Sequence, residues 1–134
     1  MNFSIAIPTY NREKDLEECL NSILEQTVLP SEILIVDDGE LAFDFINLFK
    51  NKAEQKNIIL NYYKKNHSVE KRGLAESKNI IFRIAGNELF FILDDDLILD
   101  KDFLKNIMKI WEKSDNKNLI GVGGIIINSR KKIF

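Results

Sequence analysis

Short apolar runs alternate with segments of helical periodicity along the chain, and this alternation restricts the possible folds more than any other feature. The strand-length apolar runs are residues 3–7, 33–36, 58–63, 89–93 and 119–127. Between them, apolar residues recur three and four positions apart, as in Leu16, Leu20 and Ile23, which is typical of amphipathic helices. Strands alternating with helices predict a three-layer α/β/α fold with a mostly parallel, Rossmann-like sheet and right-handed crossovers.

Two residues near the start of the chain set expected boundaries within this pattern. Pro8 follows the first apolar run and has no N–H to donate to a sheet ladder, so we predict that it ends the first strand. Asn11 is predicted to cap the first helix, because Glu13 and Asp15 behind it suit the positive end of a helix dipole.

Length and composition predict a single soluble domain spanning residues 1–134. The net charge of -2 gives no reason to expect nucleic-acid binding. The one cysteine, Cys19, excludes an internal disulfide, fits a reducing compartment and is interpreted as a small core residue. We find neither a signal peptide nor an apolar stretch near the ~20 residues of a membrane span, and therefore expect a cytoplasmic protein.

Three consecutive carboxylates, Asp94, Asp95 and Asp96, directly follow the fourth apolar run. Like charges this close repel one another unless a cation, a helix N-terminus or hydrogen-bond donors offset them. Hard divalent cations prefer oxygen ligands of this kind, so we predict a metal site for a phosphate-bearing substrate. The alternative is a solvated turn whose acids cap the next helix.

Polar groups also follow two other predicted strands, as residues 8–12 and as Asp37-Asp38-Gly39. In a parallel sheet these segments share one edge with the three acids Asp94, Asp95 and Asp96, hereafter the triad, and ligands of open α/β sheets bind at that edge. The basic segment 64–72 is expected beside them. A metal ion and the basic side chains would together balance the charge of a nucleoside diphosphate. Asp37 or Asp38 could accept hydrogen bonds from the base or the ribose. A plain β-turn at 37–39 and a solvated basic loop are the alternatives, and His67 is expected to be a surface residue of that loop.

The chain contains neither a G-x-G-x-x-G fingerprint nor a G-x-x-x-x-G-K-[ST] loop. We therefore expect side chains and a metal, rather than a glycine-rich cradle, to hold the phosphates.

Four motifs in order resemble the family 2 glycosyltransferases, which have a GT-A fold. The motifs are residues 7–12 (IPTYNR), 36–39 (VDDG), 72–75 (RGLA) leading to Asn79, and 93–96 (LDDD). The resemblance covers nearly the whole chain but only the nucleotide-sugar half of such an enzyme. The sequence departs from the family pattern at Glu40, where Ser or Thr is usual, and at Lys78, where Arg is common.

This resemblance implies a role for each motif. Thr9 and Tyr10 would line the base and ribose, Asp38 would pair with the base, typically uracil, and Asp94 and Asp96 would form a D-x-D. Asp96 is the preferred direct ligand of Mn2+ or Mg2+. The complete set predicted to bind the nucleotide is Pro8, Thr9, Tyr10, Arg12, Asp37, Asp38, Arg72, Asp94 and Asp95, with Asp94 and Asp96 on the metal.

The implied function is metal-dependent binding of a nucleotide sugar, with a UDP-sugar as first choice, and inverting transfer to an acceptor hydroxyl in a complete enzyme. We name no catalytic base and no acceptor saccharide or lipid, because the family carries both sites in a C-terminal segment. A partner domain or chain is expected to supply the acceptor site. The alternatives are a sugar-1-phosphate nucleotidyltransferase, whose glycine-rich basic first loop is missing here, and a truncated, non-catalytic nucleotide-binding or interaction domain.

Overall fold

A computed structural model describes residues 1–125 as a parallel sheet flanked by helices, as the alternation predicts. The four strands are β1 (Ser4–Thr9), β2 (Glu32–Asp37), β3 (Ile59–Lys64) and β4 (Phe90–Ile92). The four helices are α1 (Glu13–Leu24), α2 (Phe43–Glu54), α3 (Leu74–Ile84) and α4 (Phe103–Lys113). No helix in this part of the chain is both long and apolar enough to span a bilayer.

The strands lie in the order β3-β2-β1-β4, and every pairing is parallel. The order therefore reverses between β1 and β4, and this reversal opens a crevice at the carboxyl ends of the strands. All residues of β1 and β2 are buried, as expected for central strands covered on both faces.

Hydrophobic residues fill both faces of the sheet, which gives the predicted three layers. On one face Ile5 and Ile7 of β1 share a cluster with residues of α1, α2 and α4, including Leu16 and Phe49. On the other face Ala6 and the neighbouring residues of β2 contact Ile80 and Ile81 of α3.

Pro8 lies inside β1, opposite Val36 of β2, so the prediction that it ends the strand is wrong. The hydrogen bonds of Ser4 and Ala6 show that even-numbered residues of β1 direct their backbone groups toward β4. Because β4 ends at Ile92, which pairs with Ala6, a donor at position 8 would have no partner strand on that side. Proline is therefore tolerated here.

The predicted fifth strand is also wrong over its described part, because residues 119–125 form no strand. Residues 126 and 127 of that run lie outside the described residues. The segment carries three glycines, which weaken strand formation, and its Ile120 and Ile125 are largely exposed. No strand of residues 1–125 pairs with it.

Glu32, at the edge of the sheet opposite the crevice, is buried and joins several segments through its carboxyl group. It accepts hydrogen bonds from the Ser4 hydroxyl, from Asn61 Nδ2 at 2.8 Å and from the Gly86 N–H at 2.8 Å. These donors come from β1, β3 and the α3–β4 connection, so one side chain fixes three elements relative to β2.

We expect Glu32→Ala to lower the free energy of unfolding by about 2–4 kcal/mol, since it leaves three donors without an acceptor. Urea titration followed by circular dichroism measures the change. Glu54→Ala, at an exposed position of α2, is the control and should change stability little. Equal losses in the two variants would contradict the role of Glu32.

Candidate functional site

A cavity of about 430 Å³ opens at the carboxyl edge of the sheet, at the reversal of strand order. The end of β1, the residues that follow β1, β2 and β4, and the start of α3 form its wall. The lining residues are Pro8, Thr9, Tyr10, Arg12, Asp38, Gly73, Leu74, Ser77, Asp94, Asp95 and Asp96. The cavity thus brings together most of the residues predicted from the sequence, whereas Asp37 and Arg72 are not among those that line it.

The three carboxylates after β4 point in different directions. Asp95 is buried, accepts a hydrogen bond from Thr9 Oγ1 at 2.9 Å and receives another from Arg12 Nη1 at 3.3 Å. Asp94 is exposed, and the side chain of Asp96 is partly exposed, 3.6 Å from Arg12 Nη1. The middle acid therefore joins β4 to the loop after β1, while the outer two acids present oxygen atoms to solvent.

Burial raises the pKa of Asp95, although the Thr9 hydrogen bond and the Arg12 charge act in the opposite direction. The contact with Arg12 therefore favours the ionised form of a carboxyl group that its surroundings would otherwise tend to protonate.

Helix α1 holds the segment that follows the triad. The hydroxyl of Ser22 accepts the Leu99 N–H at 3.1 Å, and Gln26 bonds the Asp100 carbonyl at 2.6 Å and the Leu104 N–H at 3.0 Å. Cys19 is buried, as predicted, and its Sγ lies 3.7 Å from the Asp94 carbonyl oxygen. The first helix and Gln26, two residues beyond its end, thus hold the segment after the triad, and Cys19 of the helix contacts the backbone of Asp94.

Asp38, at the end of β2, is buried against a lysine that the sequence analysis did not single out. Lys65 Nζ lies 3.2 Å from Asp38 Oδ1, and the Lys65 side chain is fully buried. This ammonium group also donates to the Gly73 carbonyl and to Ser77 Oγ, both at 3.2 Å. Nothing in a run of basic residues distinguishes the one that folds inward, so the sequence places Lys65 only within the basic segment 64–72.

Burial opposes ionisation of Asp38, but the Gly73 N–H, donated at 2.7 Å, and the Lys65 charge outweigh it and lower the pKa of Asp38. His67 lies at the surface, as expected, yet its Nε2 is 3.0 Å from the Asp38 carbonyl oxygen. Asp38 thus connects β2, the loop after β3 and the start of α3.

Asp37 faces away from the cavity and stabilises its own loop. Its carboxylate accepts the Gly39 N–H at 2.7 Å, the Leu41 N–H at 3.0 Å and the Tyr62 hydroxyl at 2.5 Å. Burial and this bond to Asp37 raise the pKa of Tyr62. The structure therefore places Asp37 as a support for the Asp38 loop.

Arg72 is exposed and lines a second depression of about 360 Å³ beside the cavity. Residues 67–72 form that depression, and Gly73, which follows them, lines the main cavity. Arg72 thus directly precedes a cavity-lining residue in the chain but does not itself line the cavity.

Asn11 does not cap α1, so that prediction is wrong. Arg12 occupies the N-cap position without a side-chain cap bond, and Asn11 has a φ of 49°, in the left-handed region. Its Oδ1 instead accepts the Glu40 N–H at 3.3 Å, and a Cβ added to Gly39 would lie 2.2 Å from that oxygen. The glycine of the Asp-Asp-Gly turn therefore allows the loops after β1 and β2 to meet.

A family model described as "Glycosyl transferase family 2" matches residues 4–133. One curated relative, from Methanococcus voltae, is 34% identical over a 133-residue alignment that covers 94% of this chain and 40% of that protein. Its name is dolichyl N-acetyl-alpha-D-glucosaminyl phosphate 3-beta-D-2,3-diacetamido-2,3-dideoxy-beta-D-glucuronosyltransferase. The chain spans about two fifths of the length of the first curated relatives that it matches.

Solved structures with the same fold include complexes with nucleotides. Staphylococcus aureus TarS 1-349 in complex with UDP superposes with a TM-score of 0.62 at 29% identity, over 84% of this chain and 32% of that one. The mannosyltransferase PcManGT from Pyrobaculum calidifontis, in complex with GDP-Man and Mn2+, gives a TM-score of 0.66 at 28% identity. The superposition covers 85% of this chain and 33% of that one. The fold is therefore the GT-A type.

We expect Gly39→Ala to lower the free energy of unfolding by about 1–2 kcal/mol, because its Cβ would displace the Asn11 side chain. Asn11→Gly removes the obstructing oxygen and suits the positive φ, so the double variant should lose less than the sum of the single changes. Thermal or urea unfolding of the four proteins measures this coupling. Strict additivity would contradict the contact.

A second prediction concerns pH. Since the pKa of Asp38 is lowered on folding, its ionisation stabilises the fold above about pH 4, and this stabilisation is lost as the pH falls through the folded-state pKa. Asp38→Asn should be less stable at neutral pH, because Lys65 loses its partner, and its stability should fall less on acidification. Urea unfolding at several pH values tests this, with exposed Asp115→Asn keeping the wild-type slope.

Proposed function

The chain belongs to glycosyl transferase family 2, and from that premise we propose that its cavity binds the nucleotide part of a nucleotide sugar, with a UDP-sugar as the first candidate. The observation that carries this proposal is the convergence of the loops after β1, β2 and β4 on one cavity. Its volume of about 430 Å³ lies within the range of small-molecule sites.

Thr9, Tyr10 and Asp38 are the proposed contacts for the base and ribose. Tyr10 is exposed at the cavity wall, where its ring is available for stacking. The Lys65 contact helps to keep Asp38 ionised, and an ionised carboxylate is the form that accepts a hydrogen bond from a base N–H. The structure of TarS 1-349 with UDP is compatible with UDP as the first candidate, while PcManGT, which shares the fold too, is in complex with GDP-Man.

Asp94 and Asp96 are the proposed ligands of Mn2+ or Mg2+, and their carboxylate oxygens are the type that these hard cations take. Within residues 1–125, no group of three or more acidic, histidine or cysteine side chains could hold an ion unaided. The two carboxylates would therefore share the ion with water and, when the nucleotide is bound, with phosphate oxygens. When bound, a divalent cation would offset the negative charge of the departing diphosphate. The PcManGT complex with GDP-Man and Mn2+ supports this pairing of metal and nucleotide.

The remaining predicted residues have supporting roles in this proposal. Pro8 forms part of the wall, Arg12 supplies positive charge at the acids, and Asp37 holds the loop that presents Asp38. Arg72 would reach the nucleotide from the neighbouring depression by a change of side-chain conformation.

For the complete protein we propose inverting transfer of the sugar to an acceptor hydroxyl, with an acceptor site supplied outside residues 1–125. We assign no catalytic base within these residues. The family match favours glycosyl transfer over nucleotidyl transfer as the reaction. A non-catalytic interaction domain would bind no nucleotide at this cavity.

Calorimetric titration with UDP tests the proposal. We expect Mn2+ to strengthen UDP binding at least about tenfold, and Asp96→Asn to remove most of this gain. Asp115→Asn, an exposed acid away from the cavity lining, should behave as the wild type. Absence of binding at millimolar UDP would overturn the nucleotide site, and binding that ignores both Mn2+ and Asp96 would overturn the metal site.

A further inference from the structure

One guanidinium group is placed between two of the three acids at the cavity. Arg12 Nη1 lies 3.3 Å from Asp95 Oδ1 and 3.6 Å from Asp96 Oδ2. Among residues 1–125, the ion pairs of the triad all involve Arg12. The arginine is therefore a positive charge at one of the oxygen atoms that we propose for the metal.

The two contacts differ in their surroundings. The Asp95 side chain is 8% exposed, whereas the Asp96 side chain is 40% exposed. Asp95 also keeps the Thr9 hydroxyl as a donor, so it would retain a partner if the guanidinium moved. The contact with Asp96 is the longer and more solvated one, and it should be weak.

The Arg12 side chain can move while its backbone stays in place. Its backbone forms the N-cap of α1, but its side chain is 54% exposed and lines the cavity. The half-exposed side chain has room to change rotamer, at the cost of its hydrogen bond to Asp95. Because Arg12 lines the cavity proposed for the nucleotide, a change of rotamer can present the guanidinium to a diphosphate there, which it can bind through two parallel hydrogen bonds.

We propose that Arg12 is an internal counter-ion of Asp96, which a divalent cation displaces, and that the freed guanidinium then binds the diphosphate. This inference rests on the proposed function and adds a coupling between its two ligands. Metal alone must compete with Arg12 and therefore binds weakly. Metal and nucleotide together use both groups, so each ligand should strengthen the binding of the other by the same factor.

The first measurement is Mn2+ binding without nucleotide, followed by electron paramagnetic resonance of the free ion. Arg12→Gln removes the charge, and we expect Mn2+ to bind about two- to fivefold more tightly than to the wild type. Arg12→Lys keeps the charge and should stay near the wild-type affinity. Arg83→Gln is the matched control, because the Arg83 side chain is 58% exposed and pairs with Glu76 on α3, away from the cavity lining.

The second measurement is UDP binding with and without Mn2+. In Arg12→Gln we expect UDP to bind more weakly at saturating Mn2+ than it binds to the wild type. The ratio of the UDP affinity with Mn2+ to that without Mn2+ should also be smaller than in the wild type. Circular dichroism and thermal unfolding establish that each variant is folded. The opposite signs of the two effects, tighter metal and weaker nucleotide, distinguish displacement from simple damage to the site.

Unchanged or weaker Mn2+ binding in Arg12→Gln, with Mn2+-dependent UDP binding intact in the wild type, would overturn this inference alone. An equal gain in Arg83→Gln would also overturn it, since the effect would then be one of overall charge. If the wild type bound neither Mn2+ nor UDP, the proposed function would fall together with the inference.

Discussion

The cavity depends on the hydrogen bonds that the buried carboxylate of Asp95 accepts. This carboxylate connects the end of β4 to the loop after β1 through Thr9 and Arg12, across the point where strand order reverses. Three adjacent acids would repel one another if all faced the same way. With the middle one turned inward to donors, the outer two are separated and face solvent, where a cation can reach them.

A second buried charge organises the opposite wall. Lys65 neutralises Asp38 and bonds the first turn of α3, so β2, the loop after β3 and α3 form one unit. The contact between Asn11 and Gly39 then joins the loops after β1 and β2. Because these contacts already link the loops around the cavity, less ordering of the loop backbones is needed when a ligand binds.

The sequence predicts much of this architecture, because strands and helices leave different apolar periodicities and acids at strand ends must share one edge of a parallel sheet. The prediction from sequence fails where contacts with another segment determine the local structure. Pro8 is tolerated inside β1 because β4 is short, and residues 119–125 form no strand because no strand in the described part of the chain pairs with them. Asn11 resembles a helix cap by residue type, yet its partner, Glu40, lies on another loop.

Hydrophobic periodicity and motif order are properties of the chain, so the sequence alone predicts the three layers and the family, and it proposes the edge of the sheet at which a ligand would bind. The folded structure is needed to show which of Asp94, Asp95 and Asp96 turns inward, and which basic residue of segment 64–72 is buried. Burial and pairing of a charge depend on donors and cations brought close from distant positions, as Thr9 and Arg12 are to Asp95. Local sequence does not encode those distances.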